Sequence, residues 1–308
     1  MKIASWNINS LRKRQDRLFA WLENTEPDIV CLQETKCTDE QFPALALQSA
    51  GYAAAYHGEK SYNGVAILSK TKLTDVRASL CDEVVDPQAR VISATIGNLC
   101  IYSIYAPNGQ AVGSPAYKYK LKWYARLRDC LAKKKDVAGP ASGGQLLHKK
   151  RPATSEERNG RSWATQPVEA TGCPPDAKRV DLATGRVRPN GGLVVCGDFN
   201  VAPQDVDVHD PQLWRGAIMC SDGERAAFQQ LCEIGLRDTL RLHPQEPGVF
   251  TWWDYRMLSL QKNRGLRIDA VLVNESLAKK CTASGVDREM RKGKDPSDHA
   301  PIWAELKL

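Results

Sequence analysis

The sequence has no apolar run long enough to cross a bilayer. Spanning the hydrocarbon core takes roughly 18–20 consecutive apolar residues, and nothing in the 308 residues approaches that length. Residues 1–7 also lack the long apolar stretch and small-residue cleavage site of a signal peptide, and they are typical of a first β-strand instead. We therefore expect a cytoplasmic protein with no membrane partner; a nucleoid-associated or nuclear location is equally compatible.

The ten cysteines include no C-x₂-C pair, so the ligand spacing of a structural zinc site is missing. Several of them lie in apolar runs, such as Cys31 within 29–32 and Cys196 within 193–196. Reduced thiols in such runs behave as small buried hydrophobes. The pattern argues against a disulfide framework and against structural zinc.

Charge of one sign is only mildly in excess, since 43 Lys and Arg against 36 Asp and Glu give a net charge of +7. This balance suits a polyanionic partner, but solubility alone explains it as well. Hydrophobic residues make up 42% and charged residues 26%, which is ordinary for a globular protein with a sizeable core. Composition therefore permits nucleic-acid binding without requiring it.

Periodicity predicts a mixed fold. Short runs rich in β-branched and aromatic residues predict strands, and apolar residues at helical spacing predict helices. The predicted strands are 2–7, 29–33, 65–69, 90–96, 99–105, 193–196, 248–252, 267–273 and 301–306, and the predicted helices are 15–23, 117–134 and 225–234. Because strands and helices are interspersed without a clean βαβ repeat, we expect an α/β (α+β) fold of two packed mixed sheets with helices outside.

Residues 136–192 differ from the rest of the chain. They have almost no periodic apolar pattern and are rich in Gly, Pro, Ser and Thr. Residues 136–190 contain nine Lys or Arg against six Asp or Glu, a net charge of +3. Because structureless loops of this length are unusual inside a compact domain, we expect a flexible or disordered surface insertion within a single domain spanning 1–308.

Five segments share one feature: an apolar strand ends in a polar or acidic residue, often followed by a turn. Each has a structural explanation by itself, but strand ends at one edge of a sheet converge on a common cleft. Their co-occurrence therefore indicates a site. The segments are Trp6-Asn7-Ile8-Asn9, Leu32-Gln33-Glu34-Thr35-Lys36, Gly197-Asp198-Phe199-Asn200, Arg267-Ile268-Asp269 and Ser297-Asp298-His299-Ala300-Pro301.

These residue types supply what metal-assisted phosphodiester hydrolysis needs. Mg²⁺ prefers carboxylate and other hard oxygen ligands, and a second carboxylate can orient the attacking water. His, Asn and Tyr provide fixed donors for the charge that develops on the phosphate. A carboxylate bonded to one imidazole nitrogen holds the ring in the useful tautomer.

The ordered set of motifs resembles exonuclease III, a family within the endonuclease/exonuclease/phosphatase superfamily. The resemblance covers essentially the whole chain except the insertion near 136–192, and the segments 253–256 and 263–269 resemble the bacterial-type abasic endonuclease branch. The other matching segments are Trp6-Asn7, Leu32-Gln33-Glu34-Thr35-Lys36, Asn63-Gly64-Val65-Ala66-Ile67, Tyr105-Ala106-Pro107-Asn108-Gly109, Gly197-Asp198-Phe199-Asn200-Val201-Ala202-Pro203 and Ser297-Asp298-His299-Ala300-Pro301.

The resemblance implies a four-layered α/β sandwich and a DNA-repair phosphodiesterase. Such an enzyme would hydrolyse double-stranded DNA 5′ to abasic sites and act on 3′ ends as a 3′–5′ exonuclease and end-trimming enzyme. It would use Mg²⁺, with Mn²⁺ as a substitute, and we expect it to act as a monomer. Glu34 would be the principal metal ligand, with Asn7 close by and serving catalysis as well, and Asp298 a second-site or water-mediated ligand.

The resemblance also implies the catalytic roles. Asp198 would orient or deprotonate the attacking water, and His299 would contact the scissile phosphate. Asp269 would hold the far nitrogen of that imidazole. Asn200 and Tyr105 would donate hydrogen bonds to the phosphate and stabilise the developing charge.

Aromatic and cationic residues near these motifs are candidate DNA contacts. By resemblance, Trp252, Leu266 and Ile268 would line an apolar pocket that accepts a base-less deoxyribose and excludes a normal nucleotide by size. Strand alternation predicts that one of Trp252 and Trp253 is core. The candidate polar contacts are Arg90, Asn108, Gln110, Lys122, Arg256, Arg264 and Arg267.

Two other functions stay open at this point. A superfamily relative could hydrolyse a small phosphate ester, or the chain could be a catalytically inactive DNA-binding relative. For the insertion, a solvated tether is the first interpretation and an auxiliary DNA-contacting arm the second.

Overall fold

The computed structural model describes residues 1–80, 82, 84, 86–136 and 191–308. Within these ranges the strands are β1 (Lys2–Asn7), β2 (Ile29–Gln33), β3 (Ala53–His57), β4 (Val65–Ser69), β5 (Leu73–Arg77), β6 (Val91–Ile96), β7 (Leu99–Tyr105), β8 (Gly192–Asp198), β9 (Leu236–Asp238), β10 (Asp269–Asn274), β11 (Cys281–Val286) and β12 (Ile302–Leu306). The α-helices are α1 (Leu11–Thr25), α2 (Ala44–Ser49), α3 (Pro115–Asp136), α4 (Pro211–Trp214), α5 (Asp222–Glu233) and α6 (Glu275–Ala278), and the 3₁₀ turns are Asp39–Gln41, Asp205–Asp207, Thr239–Leu242 and Arg288–Arg291.

The strands form two six-stranded mixed sheets. The first has the order β11-β12-β1-β2-β4-β3 and the second the order β5-β6-β7-β8-β10-β9. Each sheet contains one parallel pair, β1 with β2 and β7 with β8, and the other pairings are antiparallel. The expected pair of mixed sheets is confirmed.

Side-chain alternation along the strands builds four layers. On β1, Ile3 belongs to the cluster between the two sheets, whereas Ala4 and Trp6 pack against α1 and α2. On β7, Ile101 faces the inter-sheet cluster, whereas Tyr102 packs against α3 and α5 on the far side. The order helices, sheet, sheet, helices is the expected α/β sandwich.

The element boundaries agree with the predicted ones in most places. Four strands match residue for residue, namely β1, β2, β4 and β7. The predicted strand 248–252 is wrong, because Trp252 forms only isolated bridges, with Leu266 and His299. The predictions missed four strands, β3, β5, β9 and β11.

The structure does not test two expectations, the flexible insertion and the single domain. The predicted insertion 136–192 falls, apart from its ends, on residues 137–190, which lie outside the described residues. The single domain spanning 1–308 stays a prediction. Among the described helices, none is both long and apolar enough to cross a membrane.

Candidate active site

Polar residues end the central strands at one edge of the sandwich. Parallel β1 and β2 end at Asn7 and Gln33, which are paired in register. In the second sheet Asp198 lies between Tyr105 on one side and Asp269 on the other. Asn7, Tyr105, Asp198 and Asp269 share the parity of the residues that face the inter-sheet core. Their side chains therefore meet between the sheets, where the apolar layer stops.

A small polar layer separates the apolar core from this edge. Ser5 Oγ donates to Gln33 Oε1 at 3.3 Å, Gln33 Nε2 donates to Ser103 Oγ at 3.1 Å, and Ser103 Oγ donates to the Leu32 carbonyl at 3.1 Å. All three side chains are buried, and mutual hydrogen bonding limits the cost of burying them. Sequence reasoning did not single out Ser5 or Ser103; the available signal was a polar residue at an inward-facing position of an apolar strand.

Glu34, Asp198 and His299 form the one cluster of potential metal ligands found among the described residues, with ligand atoms within 4.8 Å of one another. The Asn7 amide nitrogen donates to Glu34 Oε1 at 2.7 Å and to Asp198 Oδ2 at 3.0 Å. Its amide oxygen accepts from the Asn9 backbone at 3.0 Å. Asn7 thus positions the two carboxylates through its amide nitrogen. Its amide oxygen faces the Asn9 backbone and is not directed toward a cation bound between the carboxylates.

The buried His299 imidazole lies between two carboxylates. Its Nδ1 is 2.8 Å from Asp269 Oδ2 and its Nε2 is 3.7 Å from Asp198 Oδ2. The second oxygen of Asp269 is buried and has no hydrogen-bond partner among the described residues. The Asp269 carboxylate therefore acts chiefly on the imidazole.

The charges of this group are set by burial and proximity. Burial alone would lower the pKa of His299, but Asp269 and Asp198 more than offset it and raise the pKa to about 10. Burial raises the pKa of Asp198 to about 7, although His299 opposes the shift. A protonated imidazole donates hydrogen bonds and cannot ligate a metal. The donor set that remains, Glu34 with Asp198, is all oxygen and fits a hard divalent cation.

Asp298 lies beside this group rather than in it. Its two oxygens accept from Asn9 Nδ2 at 2.8 Å and from Trp252 Nε1 at 3.1 Å. Burial alone would raise the pKa of Asp298, but His299 and these hydrogen bonds hold it below its ordinary value. The position suits an indirect role better than direct ligation alongside Glu34.

The loop after β8 holds Asp198 and Asn200 together. The Asn200 backbone N–H donates to Asp198 Oδ1 at 2.8 Å, and its side chain donates to the Ala106 carbonyl at 2.9 Å. Asn108 donates to Asn200 Oδ1 at 3.2 Å. Gly197 is required just before, because a Cβ there would lie 1.9 Å from the Ile104 carbonyl oxygen.

Tyr105 and Arg90 form a supporting pair at the cleft. Burial, reinforced by Glu34 and Asp198, raises the pKa of the Tyr105 hydroxyl well above its ordinary value, so it remains a donor. The Arg90 guanidinium lies 4.8 Å from the Tyr105 ring centre and donates to its carbonyl at 3.2 Å. Arg90 is only 9% exposed, so it mainly supports Tyr105.

Several residues in these loops have a left-handed backbone. Asn9, Glu34, Lys36 and Asn200 all have a positive φ, between 45° and 51°. Non-glycine residues in this region cost roughly 1–3 kcal/mol each and persist where surrounding contacts hold them. Lys36 shows such a contact, because its ammonium is 2.7 Å from Glu34 Oε2 and 2.7 Å from Asn9 Oδ1.

The candidate DNA contacts divide by exposure. Asn108, Gln110, Arg256 and Arg264 are exposed near this edge, although Arg256 pairs with Asp254 at 2.8 Å. Of the tryptophan pair, Trp253 is fully buried and Trp252 half-buried, which agrees with the prediction that one is core.

One expectation about the DNA surface needs correction. Arg267 is 1% exposed and pairs with Asp207 and, at 2.7 Å, with Asp238, so it is an internal ion pair and not a phosphate contact. Leu266 and Ile268 are 0% and 2% exposed and pack with Trp252 in one apolar cluster. Their place in a pocket for a base-less sugar, beside the half-buried Trp252, stays a prediction.

Comparison with known proteins agrees with the geometry. The model of the Endonuclease/Exonuclease/phosphatase family matches residues 4–299. Exodeoxyribonuclease III of Haemophilus influenzae is 32% identical over 319 residues, covering 100% of both chains. The DNA repair nuclease APEX1 of Danio rerio is 29% identical, covering 98% of this chain and 81% of its own.

Solved structures give the same result. The 3′ phosphatase NExo from Neisseria, bound to a product DNA hairpin, has a TM-score of 0.81 and 36% identity over 100% of both chains. An AP endonuclease from Archaeoglobus fulgidus has a TM-score of 0.78 and 31% identity, again over 100% of both. With the family model spanning nearly its whole length, this chain belongs to the endonuclease/exonuclease/phosphatase family, in its exodeoxyribonuclease III branch.

Proposed function

We propose that the protein is a Mg²⁺-dependent DNA-repair phosphodiesterase that hydrolyses DNA 5′ to abasic sites and processes 3′ ends, including 3′–5′ exonuclease cleavage. The observation that carries the proposal is the joining of Glu34, Asp198 and the His299–Asp269 pair at one edge of the sandwich. The relatives named as exodeoxyribonuclease III, AP endonuclease and 3′ phosphatase support both the endonuclease and the 3′-end activities.

The metal would be held chiefly by Glu34, with Asp198 facing it and Asp298 acting indirectly. A bound Mg²⁺, or Mn²⁺ in its place, would neutralise charge on the scissile phosphate. Asn7 keeps the Glu34 and Asp198 carboxylates at a fixed separation by donating to both. These residues thus define where the phosphate would lie.

The protein's own side chains account for the proton transfer and charge stabilisation. Asp198 accepts the proton of the attacking water as the water oxygen bonds to phosphorus and the bond from phosphorus to the leaving 3′ oxygen breaks. The 3′ oxygen then takes up a proton from solvent to become a hydroxyl. His299, kept in position by Asp269 at 2.8 Å, donates to a phosphate oxygen. Asn200 and Tyr105 are further donors at the same edge, and preorganised donors of this kind are a large source of rate acceleration.

The exposed residues around the site suit a duplex substrate. Arg256 and Arg264 would contact backbone phosphates, and Asn108 and Gln110 are polar contacts on the neighbouring loop. Trp252 offers a partly exposed aromatic face for a sugar that has lost its base. An enzyme with this substrate would act where the chromosomal DNA lies. We also propose that the protein is a single-domain monomer. Size-exclusion chromatography with light scattering measures its oligomeric state.

One gel series tests the function. Abasic duplex, nicked duplex with a 3′ block, and intact blunt duplex are each incubated with Mg²⁺, with Mn²⁺ or with EDTA. We expect cleavage 5′ to the abasic site and removal of the 3′ block with either metal, and no cleavage in EDTA. Turnover of small phosphodiesters without nicking would favour the small-substrate alternative. Binding of DNA without metal-dependent cleavage would favour the inactive relative.

A further inference from the structure

A fully buried ion pair lies behind the loops that carry the site. Lys120 on α3 and Glu224 on α5 are both 0% exposed and contact each other directly. The Lys120 ammonium also donates to the backbone carbonyls of Asn200 at 2.7 Å and Asn108 at 3.1 Å. An ammonium has three N–H donors, so these three acceptors satisfy it completely.

Glu224 extends this network to a third segment of chain. Its carboxylate accepts from the Met219 backbone at 3.1 Å, and from the Ser221 backbone at 3.2 Å and hydroxyl at 2.6 Å. Ser221 in turn caps α5. The ion pair therefore joins the loop after β7, the loop after β8 and the start of α5.

One face of α3 makes all of these contacts. Tyr117, Lys120 and Tyr124 are spaced by three and four residues, which places them on the same side of the helix. The Tyr117 hydroxyl lies 2.9 Å from Ser221 Oγ, and the Tyr124 hydroxyl donates to the Phe199 carbonyl. The same helix therefore holds two consecutive carbonyls. Tyr124 binds the carbonyl of Phe199, and Lys120 binds the carbonyl of Asn200.

The residue held in this way has a left-handed backbone. Asn200 has φ of 51°, a region that asparagine enters more readily than most residues but that other backbone geometries would replace if its contacts were lost. Its N–H binds Asp198 and its C=O binds Lys120, so rotation of this backbone would break both contacts. Asn108, whose own carbonyl binds Lys120, donates its side chain to Asn200 Oδ1.

We propose that Lys120, with its partner Glu224, and Tyr124 are positioning residues that hold Asn200 and Asn108 in register with Asp198. The proposal rests on the proposed function, since the register matters through phosphodiester hydrolysis. Stability alone does not explain the pair, because replacing a buried ion pair by neutral side chains of similar size is often neutral or stabilising.

The test uses a charge-free double variant and a mild single one. Lys120→Met with Glu224→Gln removes both charges at similar volume, and Tyr124→Phe removes one hydroxyl. The control is Arg237→Met with Glu275→Gln, which removes an exposed pair of 2.8 Å with side chains 56% and 54% exposed. For each protein, kcat and KM on abasic duplex, the melting temperature and amide hydrogen exchange of residues 199–201 are measured.

We expect the double variant to fold, to lose roughly 10- to 100-fold in kcat with little change in KM, as for a small displacement at a reacting centre, and to exchange the Asn200 amide faster. Tyr124→Phe should change the same quantities in the same direction by less, and the control should match the wild type. Unchanged kcat and exchange in both test variants would overturn the proposal. The proposal would also be overturned if the double variant did not fold and Tyr124→Phe kept the wild-type kcat and exchange rate. The ion pair would then contribute to stability only.

Failure of the proposed function gives a different result. If the wild type itself does not nick abasic DNA, the function is wrong, and the exchange rate of the Asn200 amide still decides whether Lys120, Glu224 and Tyr124 hold this loop. If the wild type nicks and the variants match it in kcat and exchange, only the positioning role is wrong.

Discussion

Single side chains at the candidate site are held in fixed positions by charged and polar partners. Glu34, Asp198 and His299 gather within 4.8 Å, and each has hydrogen-bond or ionic partners that restrict it. Removing one side chain therefore leaves the charges of the other two without their partner, in addition to leaving a cavity.

We expect Glu34→Ala, Asp198→Asn and His299→Asn each to lower turnover on abasic duplex by at least about 10²-fold, the scale of losing one preorganised electrostatic group. The measurement is single-turnover cleavage at saturating Mg²⁺. Asp129→Asn, at an aspartate 61% exposed, is the control and should cleave normally. Near-normal nicking by Asp198→Asn would remove that residue from the water-activating role.

The neighbouring arginines Arg264 and Arg267 should behave differently although both lie just before β10. Arg267→Met leaves Asp207 and Asp238 buried without their partner, and breaking a buried pair costs about 3–5 kcal/mol. Arg264 is exposed, so Arg264→Met should leave stability unchanged and reduce the salt dependence of DNA binding. Urea unfolding and binding at several salt concentrations separate the two; a reduced salt slope with full stability in Arg267→Met would contradict the internal role.

At the scale of elements, the junction of β7 and β8 decides where Asp198 lies. These strands pair in parallel up to Tyr105 and Asp198, and a Cβ at Gly197 would meet the Ile104 carbonyl at 1.9 Å. The close approach of the two backbones is thus what brings the Asp198 carboxylate to its position.

We expect Gly197→Ala to destabilise the protein by more than the roughly 1–3 kcal/mol typical of overpacking, because the obstacle is backbone and cannot rotate away. Abasic cleavage should fall with it. Gly51→Ala is the comparison, since that glycine has a positive φ but open space around its Cα. Gly197 itself has no positive φ, so a loss no larger than that of Gly51→Ala, measured by urea unfolding, would contradict the close-approach argument.

At the scale of the whole molecule, the chain enters β8 far from the site. Gly192 pairs with Leu99 at the start of β7, whereas Tyr105 and Asp198 lie at the other end of the same two strands. The predicted insertion therefore joins β8 at the edge opposite the catalytic one. The tether and the DNA-contacting arm both stay predictions, and the tether is the first interpretation.

Deleting residues 140–188 should accordingly leave abasic cleavage within about threefold of the full chain and leave its salt dependence unchanged, because phosphate contacts carry the salt slope. Cleavage rates and binding at low and moderate salt on both proteins are the measurement. A large loss of affinity that is greatest at low salt, with a shallower salt dependence after the deletion, would instead assign the segment to DNA binding.

The sequence predicted best the elements whose local pattern is strong. β1, β2, β4 and β7 match because dense apolar alternation specifies a strand wherever it occurs. β3 was missed because Ala53, Ala54 and Ala55 have little strand preference and become a strand by pairing with β4. The residues around Trp252 look like a strand locally but find no continuous partner.

For the site, the sequence by itself determined the kinds of groups present, their order along the chain and the strand ends that carry them. Tertiary structure decided which of these groups meet. The parity of each strand and the register between neighbours turned Asn7, Asp198 and Asp269 inward together, and packing buried Arg267 while leaving Arg264 in solvent. The same packing placed Lys120 beneath the Asn200 loop. The physical reason is that distance and burial between residues far apart in the chain depend on how sheets and helices stack, which no local pattern contains.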